Sequence, residues 1–132
     1  MRNLLKMIST FLLLFVSSLV SSQNLENFEK FIVNEWTLEK HEINGQVLPP
    51  KAGHEEDQMI FTKDFKSNSI SKGVSEIGSW KFDSNTRIFS VSSNRNDFID
   101  FRVISISEKQ CILEMETPQK QKSILYLTSE KK

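Results

Sequence analysis

The chain has 132 residues, of which 38% are hydrophobic, and its 17 lysine and arginine residues balance 17 aspartate and glutamate residues. This length fits one small globular domain. A single cysteine and four glycines exclude a disulfide-stapled miniprotein and a collagen-like chain, and the balanced charge gives no reason to expect binding to nucleic acid or to an anionic membrane surface.

Residues 1–22 have the layout of a secretory signal peptide. A basic leader, Met1–Lys6, precedes the apolar stretch Met7–Val16, and Val20–Ser22 supplies small residues for cleavage. The apolar stretch is shorter than the roughly 20 residues needed to cross a bilayer. We therefore predict cleavage after residue 22 and a secreted or periplasmic product that does not span the membrane. The remaining domain, 23–132, has 15 basic and 17 acidic side chains and a net charge of −2.

The secondary-structure pattern is one short helix followed by strands. Apolar residues at spacings of three and four predict a helix within Leu25–Val33, and the rest of the chain alternates with period two. The alternation predicts eight strands, over Glu35–Ile43, Gln58–Lys63, Phe65–Ile70, Ser75–Asp83, Arg87–Ser92, Phe98–Ser107, Cys111–Thr117 and Ser123–Ser129.

The connections between these strands are short and rich in turn residues, such as Asn44-Gly45 and Lys72-Gly73. Short connections join antiparallel neighbours, because a parallel return needs a crossover of a dozen or more residues. Eight antiparallel strands can close edge to edge, which leaves no exposed edge. We therefore predict an all-β fold, an eight-stranded antiparallel up-and-down barrel preceded by a short helix.

One connection is long. Gly45–Asp57 has 13 residues, includes Pro49-Pro50 and shows no period of its own. Structureless connections of this length in compact domains are usually functional or disordered. Val47 and Leu48 are apolar residues in this polar stretch, so they either form a lid over a barrel opening or plug the end of the core.

Alternation also predicts the inward-facing side chains. They are Trp36, Leu38, Met59, Phe61, Trp80, Phe82, Phe89, Val91, Phe101, Val103, Leu113 and Met115. We expect both indoles to be shielded, with each ring NH hydrogen-bonded. An eight-stranded barrel either fills with side chains or holds one small ligand, and the sequence leaves both open. The candidate ligand-binding residues are Val47, Leu48, Met59, Phe61, Phe89, Phe101 and Met115.

No sequence motif points to catalysis. The hydrolase elbow, the phosphate loop and the dinucleotide fingerprint are absent. His54-Glu55-Glu56-Asp57 begins like a zinc-binding helix motif, but Gln58 stands where the second histidine would be needed. We interpret these residues as a solvated acidic turn, with a hard-cation site as the alternative. We predict that the protein is not an enzyme and has no cofactor or metal site.

Two further residues have reactive side chains. His41 lies on the opposite side of its predicted strand from Trp36 and Leu38, so we expect it on the outer surface of the barrel. Cys111 has no partner within the chain and sits beside Ile112 and Leu113. We expect it to pack as a small hydrophobic residue, with intermolecular pairing or a reactive thiol as the alternative.

Several short segments together resemble the small secreted lipocalin-like domains of bacteria. The segments are Glu35-Trp36-Thr37-Leu38, Met59–Asp64, Gly78–Asp83, Phe101–Ser107 and Ile112–Met115. Asn34 stands where lipocalins often carry the glycine of Gly-x-Trp, whereas Gly78-Ser79-Trp80 matches the internal motif of the bacterial group. The resemblance covers nearly all of 23–132 and implies an eight-stranded barrel with the long first connection at its open end.

These observations lead to two hypotheses about function. The first is an exported, monomeric, non-enzymatic lipocalin-like domain that binds a small apolar or amphipathic molecule in the barrel mouth. The alternative is a protein-interaction or inhibitor module with a filled barrel that acts at the cell envelope. A cavity at the mouth would favour the first, and a filled barrel with an exposed apolar patch would favour the second.

Overall fold

The structure is a computed structural model that describes residues 27–93 and 97–129. The predicted signal peptide and Leu25 lie outside these ranges. One helix, α1 (Phe28–Ile32), precedes nine strands. They are β1 (Glu35–Ile43), β2 (Gln46–Leu48), β3 (Gln58–Phe61), β4 (Lys66–Ser71), β5 (Val74–Asp83), β6 (Ile88–Ser92), β7 (Phe98–Ile106), β8 (Gln110–Glu116) and β9 (Lys122–Thr128). Within the described ranges, no helix has the length and apolar character needed to cross a membrane.

The strands form a closed antiparallel barrel. From β3 to β9 each strand pairs with the next, and β1 pairs with both β3 and β9, so that eight strands complete the ring. The short strand β2 pairs with the second half of β1 and, among the described strands, with no other. The predicted all-β up-and-down barrel with a preceding helix is confirmed, and the ends of the eight predicted strands differ from the observed ones by at most two residues.

Helix α1 fills one end of the barrel. The Phe28 ring stacks on Phe82 with centroids 4.1 Å apart and meets Phe89 edge to face at 5.1 Å. The last helical residue, Ile32, is fully buried, and its carbonyl accepts a hydrogen bond of 3.0 Å from Trp36 Nε1. A helix end leaves carbonyls without intrahelical partners, so this indole satisfies one of them. The end of the barrel that α1 covers is therefore closed.

The predicted core is present. All twelve residues predicted to face inward are either buried or packed against the buried cluster. The second indole, Trp80 Nε1, donates to the Thr62 carbonyl at 3.0 Å, so the expected partners of both tryptophans are confirmed. Cys111 is completely buried, as expected of a small hydrophobic residue. Ile106 and Leu127 belong to the same core and were not predicted.

The long connection contains a strand that periodicity did not predict. Asn44 and Gly45 both have positive φ, at 52° and 80°, and they join Ile43 to its cross-strand partner Gln46. A two-residue turn with two positive φ angles matches the right-handed twist of a β-hairpin. The expectation that Gly45–Asp57 lacks regular structure was therefore wrong for its first residues, which form β2.

A β-bulge in β1 reverses the predicted orientation of His41. The register shifts between Leu38, which pairs with Leu127, and Lys40, which pairs with Tyr126. The extra residue moves His41 opposite Leu125, whose other neighbour is the buried Leu113. Because directly paired residues share a face of the sheet, His41 points into the barrel. Its expected place on the outer surface was wrong.

Strand β5 changes its partner at Gly78. Val74–Ser79 pairs with β4, whereas Ser79–Asp83 pairs with β6. A β-carbon at position 78 would collide with the main-chain carbonyl of Ser92 at the end of β6, so only glycine allows β5 to bend here. The first residues of β5, including Glu76, have no pairing with β6 and leave a gap in the barrel wall.

Candidate ligand site at the barrel mouth

The end opposite α1 is the mouth of the barrel. The connections between β2 and β3, β4 and β5, β6 and β7, and β8 and β9 all lie at this end. The connection between β4 and β5 is the two-residue turn Lys72-Gly73, with φ of 51° and 80°, and is too short to cover the opening. The connection Pro49–Asp57 is the longest of the four.

A cavity of about 190 Å³ opens at the mouth, beside the unpaired half of β5. Its lining combines apolar side chains with hydroxyl and carboxylate groups. The lining residues are Met59, Ser69, Glu76, Val91, Ser92, Ser93, Asp97, Ile99 and Phe101. The cavity is smaller than the 300–1,000 Å³ of typical ligand pockets but larger than an engineered cavity of roughly 150 Å³ that holds benzene. Its volume suits a small ligand with about one ring.

Strand pairing places the lining side chains in two rows. Met59 lies opposite Ser69, which lies opposite Glu76, so these three share the inner face of β3, β4 and β5. On the other side of the cavity, Val91 pairs with Ile99 on β7. Val91, Ser92 and Phe101 are buried, whereas Glu76 and Asp97 are exposed at the rim. The site therefore has an apolar floor and a polar rim.

The structure brings some of the candidate ligand-binding residues together and separates others. Met59 and Phe101 line the cavity. Phe61 and Phe89 belong to the aromatic cluster nearer the closed end, with ring centroids 5.1 Å apart. Met115 is partly buried against the core.

The two apolar residues of the long connection face opposite ways. Leu48 pairs with the inward-facing His41 and is half-buried. Val47 pairs with Glu42 and is 54% exposed. Consecutive residues of a strand point to opposite faces, so Leu48 alone of these two is directed toward the interior. The geometry of Leu48 fits a plug better than a mobile lid.

Several lining residues were missed because they are polar. Ser69 and Glu76 have the correct strand parity to face inward, but polar residues in a strand are ordinarily expected to face solvent. The sequence signal that could have indicated these residues is a break in the apolar pattern on the inner face of β5. The first half of β5 carries Glu76 and Gly78 on the face that continues with Trp80 and Phe82.

A polar cluster fixes the end of the long connection to the β4–β5 hairpin. Asp57 Oδ2 lies 2.6 Å from His54 Nδ1 and accepts a hydrogen bond of 2.9 Å from Ser71 Oγ. Asp57 Oδ1 accepts the main-chain NH of Lys72 at 3.2 Å. These hydrogen bonds, above all the one from His54, hold the pKa of Asp57 below its ordinary value by favouring the ionised form. Residues 54–57 therefore anchor the end of the long connection to the β4–β5 hairpin.

Although Ser71, His54 and Asp57 are the residue types of a hydrolase triad, their arrangement differs from one. In a triad the serine hydroxyl contacts the imidazole nitrogen that the aspartate does not. Here Ser71 Oγ donates to the aspartate itself and lies 3.3 Å from the same nitrogen, Nδ1, that contacts Asp57.

Within residues 27–93 and 97–129, no three histidine, cysteine, aspartate or glutamate side chains are grouped to hold a metal ion.

A second and larger cavity, of about 360 Å³, lies outside the closed end. It is a groove lined by Glu29, Lys30, Val33, Lys63, Phe65 and Trp80. The Phe65 ring is 47% exposed and packs on Trp80 with centroids 4.8 Å apart. Phe65 also has a φ of 65°, in the left-handed region that bulky residues rarely adopt. This groove is outside the barrel interior and has basic as well as apolar walls.

No protein-family model matches the chain, and no curated protein matches it in sequence.

Proposed function

We propose that the protein is an exported bacterial lipocalin-like domain that binds a small amphipathic molecule in the mouth cavity and is not an enzyme. In this proposal residues 1–22 are a signal peptide, and 23–132 form a monomeric domain that acts in the periplasm or outside the cell. The observation that carries the binding function is the cavity itself, whose floor contains Met59 and Phe101 and whose rim is polar.

The division between the two barrel ends supports this reading. The barrel interior at the closed end is filled by Phe28, Phe82 and Phe89, so a ligand has no room inside the barrel there. At the mouth, the bend of β5 at Gly78 separates the strand from β6 and makes space for one small molecule. Pockets of this kind use apolar walls for affinity and a few polar groups for orientation.

A bulky side chain at the rim tests the binding function. Ile99 is 51% exposed, so Ile99→Trp would narrow the cavity without disturbing the buried core. Ile104→Trp is the matched control, because Ile104 lies on the same strand and is 40% exposed but does not line the cavity.

The readout is native mass spectrometry of protein purified from its own host. We expect a small molecule to remain bound to the wild type and to Ile104→Trp, and to be lost from Ile99→Trp. A wild type without bound ligand, which also fails to bind small aromatic alcohols and amines when they are added, would overturn the proposal.

The alternative function, a protein-interaction or inhibitor module at the cell envelope, is favoured by one observation. Phe65 keeps a half-exposed ring and a left-handed backbone conformation beside the groove at the closed end. Strained residues of this kind concentrate at functional sites. Phe65→Asn removes the ring and suits the backbone, because asparagine tolerates left-handed φ values. A protein partner that binds the wild type and Ile99→Trp, but not Phe65→Asn, would support this alternative.

A further inference from the structure

The described part of the rim of the mouth cavity is acidic. Glu76 and Asp97 both line it, and none of its described lining residues is basic. Glu76 lies on β5, and Asp97 immediately precedes β7, so the two carboxylates come from different sides of the gap beside β5. Both residues are exposed at the opening, where a ligand would enter.

These two carboxylates have no partners of opposite charge within residues 27–93 and 97–129. Two other acidic groups of the barrel do have partners: Glu114 forms an ion pair with Arg102 at 3.6 Å, and Asp100 accepts a hydrogen bond of 2.6 Å from Ser90 Oγ. Glu76 and Asp97 form no comparable contact in the described structure. Among the described residues, these two carboxylates therefore lie without a cationic partner beside the apolar floor of the cavity.

The apolar floor limits the hydrocarbon part of the ligand. Met59, Val91 and Phe101 lie below the carboxylates, and the cavity volume of about 190 Å³ exceeds by a little that of an engineered cavity that holds benzene. One ring or a short branched chain fits this space. A long acyl chain or a fused ring system does not.

We propose that the mouth cavity selects small protonated amines, with the ammonium group between Glu76 and Asp97 and the hydrocarbon part against Met59, Val91 and Phe101. This inference rests on the proposed binding function and names its ligand class. The ammonium has a charge opposite to that of both carboxylates, whereas the same carboxylates repel an acid. The Ser69 hydroxyl, which lines the same cavity, accepts a further ammonium hydrogen bond.

Three probes that share a phenylethyl group separate the effect of charge from that of the hydrocarbon part: 2-phenylethylammonium, the neutral 2-phenylethanol and the anionic 3-phenylpropionate. Dissociation constants at low salt, measured by ligand-observed NMR with the full domain, should rank the ammonium tightest and the carboxylate weakest. At a partly exposed site one charge pair is worth up to about 1 kcal/mol, which corresponds to about a fivefold change in affinity. The preference for the ammonium should weaken as added salt screens the charges.

Replacement of one carboxylate tests the assignment directly. We expect Glu76→Gln to weaken ammonium binding by about fivefold and to leave alcohol binding unchanged. Glu108→Gln is the control, because it removes the same charge from an exposed residue in the turn after β7, at the closed end. It should change neither affinity.

The outcomes separate the two proposals. If the alcohol binds as tightly as the ammonium and Glu76→Gln changes neither, the ammonium selectivity is overturned while ligand binding in the mouth stands. Tightest binding of the carboxylate probe would overturn it as well. If no probe binds to the wild type, both the selectivity and the binding function assigned to this cavity are overturned.

Discussion

The main-chain carbonyl of Ser92 occupies the space that a β-carbon at Gly78 would need. Strand β5 bends at this point from its pairing with β4 to its pairing with β6, and the same bend opens the barrel wall beside Glu76. A glycine in the middle of a strand usually weakens it, and such glycines often mark places where another backbone approaches closely. One residue therefore determines both the course of the strand and the position of the cavity.

Gly78→Ala should strongly destabilise the domain. The added methyl group meets backbone, which cannot rotate away, so we expect a loss of about 3 kcal/mol or more in the free energy of unfolding. Gly45→Ala is the comparison: position 45 has open space around it but a φ of 80°, and this variant should lose only about 1 kcal/mol. Urea unfolding of the two variants gives both values. Equal losses would contradict the close approach at Gly78.

The two tryptophans should each contribute several kcal/mol to stability. Trp36 and Trp80 are buried and hydrogen-bonded to main-chain carbonyls. We expect Trp36→Ala to cost about 3–5 kcal/mol, a large part of the stability of so small a domain. Chemical denaturation of Trp36→Ala and Trp80→Ala measures the change. Losses below about 1 kcal/mol at both positions would contradict the assigned strand register.

Neighbouring serine substitutions in β2 should behave differently. Leu48 is half-buried toward the interior, so Leu48→Ser should lower the free energy of unfolding by about 1–2 kcal/mol. Val47 lies on the exposed side, and Val47→Ser should change the melting temperature little. Thermal melts and titration with 2-phenylethanol separate a plug from a lid. Altered ligand affinity in Leu48→Ser with an unchanged melting temperature would indicate a lid instead.

Cys111 should be unreactive in the folded protein. Burial raises the pKa of its thiol to about 12, which keeps it protonated and shielded. Alkylation by iodoacetamide should therefore proceed only as fast as the domain unfolds. In the Cys111→Ala background, a cysteine introduced at the exposed position Ser84 should react at once and serves as the control. Rapid labelling of the native wild type at neutral pH would show that the thiol is accessible.

The same thiol makes stability depend on alkaline pH. The pKa of Cys111 is raised from 9.0 in the unfolded chain to about 12 in the folded protein. The contribution of the neutral thiol to the free energy of unfolding is therefore complete below pH 9.0 and is lost as the pH rises toward about 12. Over that range the wild type should lose more unfolding free energy than Cys111→Ala does. Denaturant melts at several alkaline pH values compare the two proteins, and parallel curves would contradict the raised pKa.

Asp57 should stabilise the domain at neutral pH and not in acid. Its pKa is lowered in the folded state by the hydrogen bond from His54 and by those from Ser71 and Lys72. The contribution of Asp57 to the free energy of unfolding is therefore present above the pKa of this residue in the unfolded chain, and it is lost as the pH falls through the lower pKa in the folded protein. The difference in unfolding free energy between wild type and Asp57→Asn should shrink below about pH 4. A difference between the two proteins that stays the same from pH 7 to acid pH would contradict the lowered pKa of Asp57.

The barrel was predictable from the sequence because alternation is preserved along most strands. Each strand buries one face, so alternation of apolar and polar residues identifies both the strand and the side chains that face inward. The inward-facing residues were predicted correctly from Trp36 through Met115. It failed where one residue was inserted. The bulges near Leu38 and Val103 reverse the parity, which moved His41 inward and brought Ile106 into the core.

The mouth cavity was only partly predictable. Met59 and Phe101 were candidate ligand-binding residues because they are apolar and alternate correctly. Glu76 and Asp97 were not, since a charged residue in a strand or turn ordinarily faces solvent. Their common position depends on the bend at Gly78, which is a property of three strands and not of any one segment. The three residues of β2 were too few to show a period, although Asn44-Gly45 is a strong hairpin signal.

The pairing of β1 with β9 affects how the chain can fold as it is synthesised. Leu38 and Leu127 are direct neighbours in the closed ring, although almost the whole barrel sequence separates them. Until β9 has been made, β1 and β8 each keep an open edge, and the meander between them cannot complete its core. Contacts between such distant parts of a chain form slowly, because a long loop must close before they add stability. A nascent chain with this topology therefore cannot close its ring until β9 has been made.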